Sequence, residues 1–89
     1  MPRVLIVDDE PAIRSLLSLA FVRAGYEVAT AADAFKAMQL FAAESFHAIL
    51  SDVQMPGMDG HSLIRWVAGT YPHVRSVLGR VHTLKTISW

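Results

Sequence analysis

His47-Ala48-Ile49-Leu50-Ser51-Asp52-Val53-Gln54-Met55-Pro56-Gly57-Met58-Asp59-Gly60 reads as an apolar strand that runs into one carboxylate. A turn closed by Pro56, Gly57 and Gly60 follows it. A carboxylate at the C-terminal end of a buried parallel strand lies where open α/β sheets bind their ligands. The N-terminal run Val4-Leu5-Ile6-Val7 ends in the same way, on Asp8-Asp9-Glu10. Two strands ending in acids bring carboxylates together on one edge of a sheet. Such a pocket suits a hard divalent cation, Mg2+ or Mn2+, which prefers oxygen ligands and keeps some of its water.

Working outward from these two strand ends, the chain reads as βαβαβαβ. Arg3 to Val7 is a fully buried first strand, rich in β-branched residues. Pro11 suits the first turn of a helix, where its missing N–H is no loss. Ile13, Leu16, Leu17, Ala20, Phe21 and Ala24 recur at helical spacing as one wide apolar stripe, and Gly25 is placed to stop it. Tyr26 to Thr30 is the second strand. Asp33 is an N-cap for a helix through Ala42, and Phe46 to Ser51 is the third strand. Asp59 or Gly60 opens a third helix with Leu63, Ile64, Trp66 and Val67, stopped by Gly69 and then Pro72. His73 to Leu78 is a fourth strand. Alternating strands and helices with short connections predict a parallel sheet with helices on both faces.

The 89 residues allow one domain. They are assigned as a domain over 1–79 and a tail over 80–89 for which the pattern gives no clear element. The hydrophobic fraction is 53%, yet no apolar run approaches the ~20 residues of a membrane span. The acids at 8–10 interrupt the N-terminal apolar run too early for a signal peptide. With no cysteine there is neither a disulfide nor a thiolate metal site, which fits a cytoplasmic protein. Net charge is zero but uneven. Met1 to Asp59 holds eight acids against four bases, a net of −4, and Gly60 to Trp89 holds four bases and no acid. Four dispersed bases make a solvated tail, not a nucleic-acid surface.

The chemistry open to the pocket is narrow. There is no cysteine nucleophile, no serine elbow and no glycine-rich phosphate loop after the first strand. A carboxylate can attack a phosphoryl group to give an acyl phosphate if a cation neutralises the crowded charge. Asp52 is the candidate nucleophile, with Asp8 and Asp9 as further ligands of that cation.

At this point the chain resembles the response-regulator receiver domains of two-component signalling. The resemblance rests on Val4-Leu5-Ile6-Val7-Asp8-Asp9-Glu10, on Gly25-Tyr26-Glu27-Val28 and on Asp52-Val53-Gln54-Met55-Pro56-Gly57-Met58-Asp59-Gly60, and runs from about Arg3 to about Leu78. It implies a flavodoxin-like doubly wound parallel sheet, here incomplete and lacking the last βα portion. It implies that Asp52 accepts a phosphoryl group from a histidine kinase or phosphotransfer protein. It also implies that Asp9, Asp52 and the backbone carbonyl of Gln54 ligate Mg2+, with Asp8 acting through water. No enzymatic activity is implied beyond self-catalysed phosphoryl transfer and hydrolysis.

Departures from the family pattern fall late in the chain. The resemblance implies a Ser or Thr closing the fourth strand, and that position falls on Gly79 or Arg80. Thr83 lies beyond it. Lys85 is the one late lysine, and Thr86 follows it where the family usually has Pro. The pattern is that of a receiver cut near Gly79, which leaves the fourth strand as an open edge and favours a homo-oligomer through that edge and the tail. The alternative is a degenerate receiver that works as a dimerisation module without phosphorylation. A metal-dependent phosphatase would need an acid two residues beyond the nucleophile, where Gln54 stands. Asp59 is expected to cap a helix and not to bind metal. The four histidines show no ligand spacing, Met55 and Met58 are expected to shape the loop, and Trp66 to pack on the sheet.

Overall fold

The computed structural model of the chain describes residues 1–52 and 57–79. Within them the order is β1 (Arg3–Val7), α1 (Pro11–Arg23), β2 (Glu27–Ala31), α2 (Ala34–Ala43), β3 (Ala48–Asp52), α3 (Gly60–Thr70) and β4 (Arg75–Gly79). The four strands are all parallel, in the spatial order β2-β1-β3-β4. From β1 the chain steps one way to β2, then crosses back to β3 and β4. Right-handed crossovers in opposite directions put α1 on one face and α2 and α3 on the other.

That reversal falls between β1 and β3, whose register pairs Val7 with Ser51. The next residues up the two strands are Asp8 and Asp52. The crevice at the carboxyl ends of strands on either side of such a reversal is where this architecture binds ligands.

The core lies on the α2 and α3 side. Leu5, Val7 and Ile49 point to it from the sheet and meet Ala37 and Phe41 of α2 and Leu63 and Val67 of α3. Phe41 packs on Phe46 and stacks on Tyr71, with ring centroids 5.1 and 5.0 Å apart. Truncating such a buried ring costs about 3–5 kcal/mol. On the opposite face Val4, Ile6 and Ile13 are buried. The wide stripe expected on α1 is narrower in the structure. Ile13 is buried, Leu17 and Phe21 are half-buried, and Leu16 stands exposed.

Several boundaries differ from the sequence expectation for identifiable reasons. Tyr26 is not part of β2: its N–H donates to the Phe21 carbonyl and its ring meets Phe21 edge-on, so it closes the C-terminal turn of α1 after Gly25 (φ +96°). Phe46 precedes β3 because its ring is committed to Phe41, while the strand extends one residue further than expected, to Asp52. Gly69 does not stop α3, which continues to Thr70. The stop is Tyr71, held out of the helical region by the Pro72 that follows it. Val74 lies in the turn after that stop, its N–H donating to the Tyr71 carbonyl, so β4 starts at Arg75 and runs to Gly79. The caps agree with expectation. Asp33 accepts from the Lys36 N–H and Asp59 from the Ser62 N–H, each at 2.8 Å.

At the opposite end of the sheet from the acids, Arg3 organises the strand starts. Its guanidinium pairs with Glu27 (3.5 Å) and Glu44, and lies 5.1 Å from the Phe46 ring centroid. Its N–H donates to His47 Nδ1 at 2.9 Å.

Candidate functional site

Asp8 directly follows β1 and prolongs its bonding to β2, its N–H donating to the Ala31 carbonyl at 3.1 Å. Its Oδ1 accepts from the Glu10 N–H at 2.8 Å, which turns the chain toward α1. One turn into that helix, Arg14 reaches back and donates to the Asp8 carbonyl at 2.7 Å. These contacts fix Asp8 as a fully buried side chain, while its neighbour Asp9 is exposed.

Asp52 is the last residue of β3 and only 2% exposed. Its carbonyl accepts from the Ser51 hydroxyl at 3.0 Å. Gly60, the first residue of α3, lies hard against the same carbonyl. A Cβ at position 60 would stand 1.9 Å from the Asp52 oxygen. The residue at the start of α3 must therefore lack a side chain for the helix to approach the strand end this closely.

One carboxylate oxygen each from Asp8, Asp9 and Asp52 lie within 4.8 Å of one another. The sequence expectation that two strand-end clusters converge holds in this geometry. An all-oxygen donor set, with two of its three carboxylates buried, fits Mg2+ or Mn2+ and suits neither a soft metal nor an organic cofactor. Gln54, expected as a carbonyl ligand, lies outside the described residues, as do Arg80, Thr83, Lys85 and the tail over 80–89. Asp59 is a cap, exposed and bonded to Ser62, and it stands apart from the cluster. The Ser62 N–H, aided by the Ser62 hydroxyl, His61 and Arg65, holds the Asp59 carboxyl below its usual range. Across the β3–β4 ladder the partner of Asp52 is Gly79. The position beside the central carboxylate therefore carries no side chain.

Arg14, Ser51 and Gly60 are neighbours of the acids that the strand-end pattern does not mark. Arg14 was detectable, since a first-turn arginine lies four residues after Glu10 and so faces back toward the strand end. The packing of Gly60 had no one-dimensional signal beyond being a glycine.

The family model for the response regulator receiver domain matches residues 4–83. The chain belongs to that family. It is 40% identical over 76 residues to the response regulator protein FleR of Pseudomonas aeruginosa, a match covering 85% of this chain and 16% of FleR. The chain thus spans a small part of that relative's length. Among solved structures, the chemotaxis response regulator CheY4 of Vibrio cholerae superposes with a TM-score of 0.83 at 38% identity, over 88% of this chain and 67% of that one. The response regulator TrrA of Thermotoga maritima, in complex with Mg2+–BeF, gives 0.84 at 28% identity, over 98% and 77%. The sheet is accordingly the flavodoxin-like parallel sheet of that family, with four strands among the described residues.

Proposed function

We propose that this chain is a phosphoacceptor module of a two-component relay and that Asp52 is the acceptor. The observation that carries the reading is the three-carboxylate cluster at the topological reversal of the sheet. Asp9, Asp52 and the Gln54 carbonyl would hold Mg2+ or Mn2+, with Asp8 behind them through water. The cation would supply charge neutralisation, so that an anionic phosphoryl group can approach an anionic carboxylate. An Asp52 carboxylate oxygen attacks phosphorus, the bond from phosphorus to the donor's imidazole nitrogen breaks, and the imidazole leaves with that electron pair and takes up a proton. Burial of Asp52 and its anchored carbonyl position the attacking oxygen before the donor arrives. No side-chain acid or base is needed on Asp52 itself.

The donor fitting this chemistry is a histidine kinase or phosphotransfer protein in the cytoplasm. A structure of the histidine kinase ThkA in complex with the response regulator TrrA supports that partner class; a chain of that complex matches 88% of this chain at 32% identity and a TM-score of 0.82, over 67% of its own length. Leu16, Leu19 and Val22 are exposed on α1, the helix that starts just behind Asp9, and an apolar patch there suits a docking protein. Among the described residues no helix is long and apolar enough to cross a membrane. Mass spectrometry after treatment with acetyl phosphate and Mg2+ tests the acceptor. Phosphate on Asp52, absent in Asp52→Asn, is the expected result; phosphate confined to a histidine would refute it.

A second reading, a receiver that dimerises and is not phosphorylated, is favoured by the glycine facing Asp52 across the ladder. Among the described residues β4 has no strand on its outer side, and Val77 is 54% exposed. An unpaired parallel edge with exposed apolar residues is a template for a second copy. The 89-residue chain is expected to sediment as a dimer or larger at micromolar concentration. A well-folded monomer would remove this reading.

A further inference from the structure

We propose that Arg14 is a positioning residue of the acid pocket, acting on Asp9 through the main chain on either side of it. The inference rests on the reading of Asp8, Asp9 and Asp52 as a cation site. Asp9 is the exposed member of the three, yet one of its carboxylate oxygens lies within 4.8 Å of oxygens of Asp8 and Asp52. Packing does not aim an exposed side chain, and repulsion from two other carboxylates favours turning it out into water. The backbone supplies the aim.

Two peptide planes meet at the Asp9 Cα, and each is held. The Asp8 carbonyl shares one rigid plane with the Asp9 N–H, and it accepts from Arg14 Nη1 at 2.7 Å. In the plane on the other side, the Glu10 N–H donates to Asp8 Oδ1 at 2.8 Å. With both planes fixed, the φ and ψ of Asp9 are fixed, and with them the direction of its Cβ. The anchor itself does not swing, because Asp8 is fully buried and its N–H is bonded to the Ala31 carbonyl.

Glu10, at the N-cap of α1, makes no capping bond with its side chain, and Pro11 behind it brings no N–H. Arg14 holds the turn from further into the helix. Its own N–H donates to the Glu10 carbonyl at 3.1 Å while its guanidinium reaches the Asp8 carbonyl. One residue thus grips the chain on both sides of Asp9. Charge gives the proposal a sign. A guanidinium beside a cation site repels the cation, so removing an Arg14 that acted by charge alone would tighten metal binding. Removing an Arg14 that aims Asp9 weakens it.

The test is titration of the 89-residue protein with Mg2+ by calorimetry, together with amide hydrogen exchange in metal-free protein. Arg14→Met keeps the stem and the helix-forming character and removes the donors. It is expected to weaken Mg2+ affinity about tenfold, the lower end of what removing a ligand-orienting neighbour does. Exchange at Asp9 and Glu10 should quicken while the amides of β3 keep their protection. Arg14→Lys keeps the charge and a donor on a stem of similar reach, and should recover most of the affinity. Unchanged or tighter binding in Arg14→Met, or an equal loss in Arg14→Lys, would overturn the role of Arg14. Protection lost across β3 as well would assign Arg14 to the stability of the whole fold and overturn it too. A wild-type chain that binds no metal would instead overturn the reading of the pocket, and this inference with it.

Discussion

Gly60 and Gly69 sit on the same helix, and replacing each with alanine should move stability in opposite directions. Neither has a positive φ, so an alanine meets no backbone penalty at either site. In helix interiors alanine is favoured over glycine by about 1 kcal/mol, and somewhat less near the ends. At Gly69 nothing described lies within 4 Å of the new Cβ, so this preference acts alone. At Gly60 the Cβ would stand 1.9 Å from the Asp52 oxygen, 2.9 Å from its carbonyl carbon and 2.7 Å from Leu78 Cδ1. Leu78 can turn aside. The Asp52 carbonyl is main chain, bonded into a ladder and to Ser51, and must move by more than an ångström. Overpacking of this kind costs about 1–3 kcal/mol or more, which exceeds the propensity gain. For a domain of this size 1 kcal/mol moves Tm by about 4–8 °C. Thermal unfolding followed by circular dichroism should show Gly69→Ala raised by about 4 °C and Gly60→Ala lowered by about 10 °C. A Gly60→Ala protein as stable as wild type would refute the close packing of α3 on the strand end.

Calorimetry should find that Asp9→Asn combined with Asp52→Asn abolishes Mg2+ binding; the same affinity in that variant would rule out the pocket. Because the folded pKa of Asp59 is depressed, its cap contributes stability that is present above the unfolded pKa and is lost as pH falls through the folded one. Acid titration of stability should therefore be steeper below about pH 4 in wild type than in Asp59→Asn, which caps without titrating; identical acid limbs would contradict this. Arg3→Met keeps a stem over Phe46 but removes the pairs with Glu27 and Glu44. It should destabilise by about 0.5–1 kcal/mol at low salt, with the difference shrinking in 1 M salt, as urea unfolding would reveal; a loss independent of salt would assign the contribution to packing.

The fold was legible because each level of the sequence agrees with the next. Four apolar runs alternate with helical periodicity, and Pro11, Asp33 and Asp59 mark helix starts that the structure places within a residue. The convergence of Asp8, Asp9 and Asp52 was legible because strand ends on either side of a reversal must meet. Element ends were read less well, since residues there answer to tertiary partners. Tyr26 belongs to Phe21 and Phe46 to Phe41, and neither commitment shows in local spacing. Gly69 looked like a stop because glycine is a weak helix former, yet Pro72 two residues beyond the helix end overrides it. The role of Gly60 depends on a contact between separate elements, which no pattern along one element could reveal.

The fit of Gly60 against Asp52 leaves α3 little room at its first residue to approach the strand end more closely. Trp66 lies six residues further on, about 9 Å along the helix axis. Its indole meets Phe41 and Tyr71 edge-on, with centroids 6.1 and 5.6 Å apart. An indole set edge-on against a stacked ring pair changes its emission when its spacing from that pair changes. Trp66 is therefore an intrinsic chromophore on the helix that abuts the carboxylate's main chain, and in a Trp89→Phe background its emission band would report any shift of α3 against Phe41 and Tyr71.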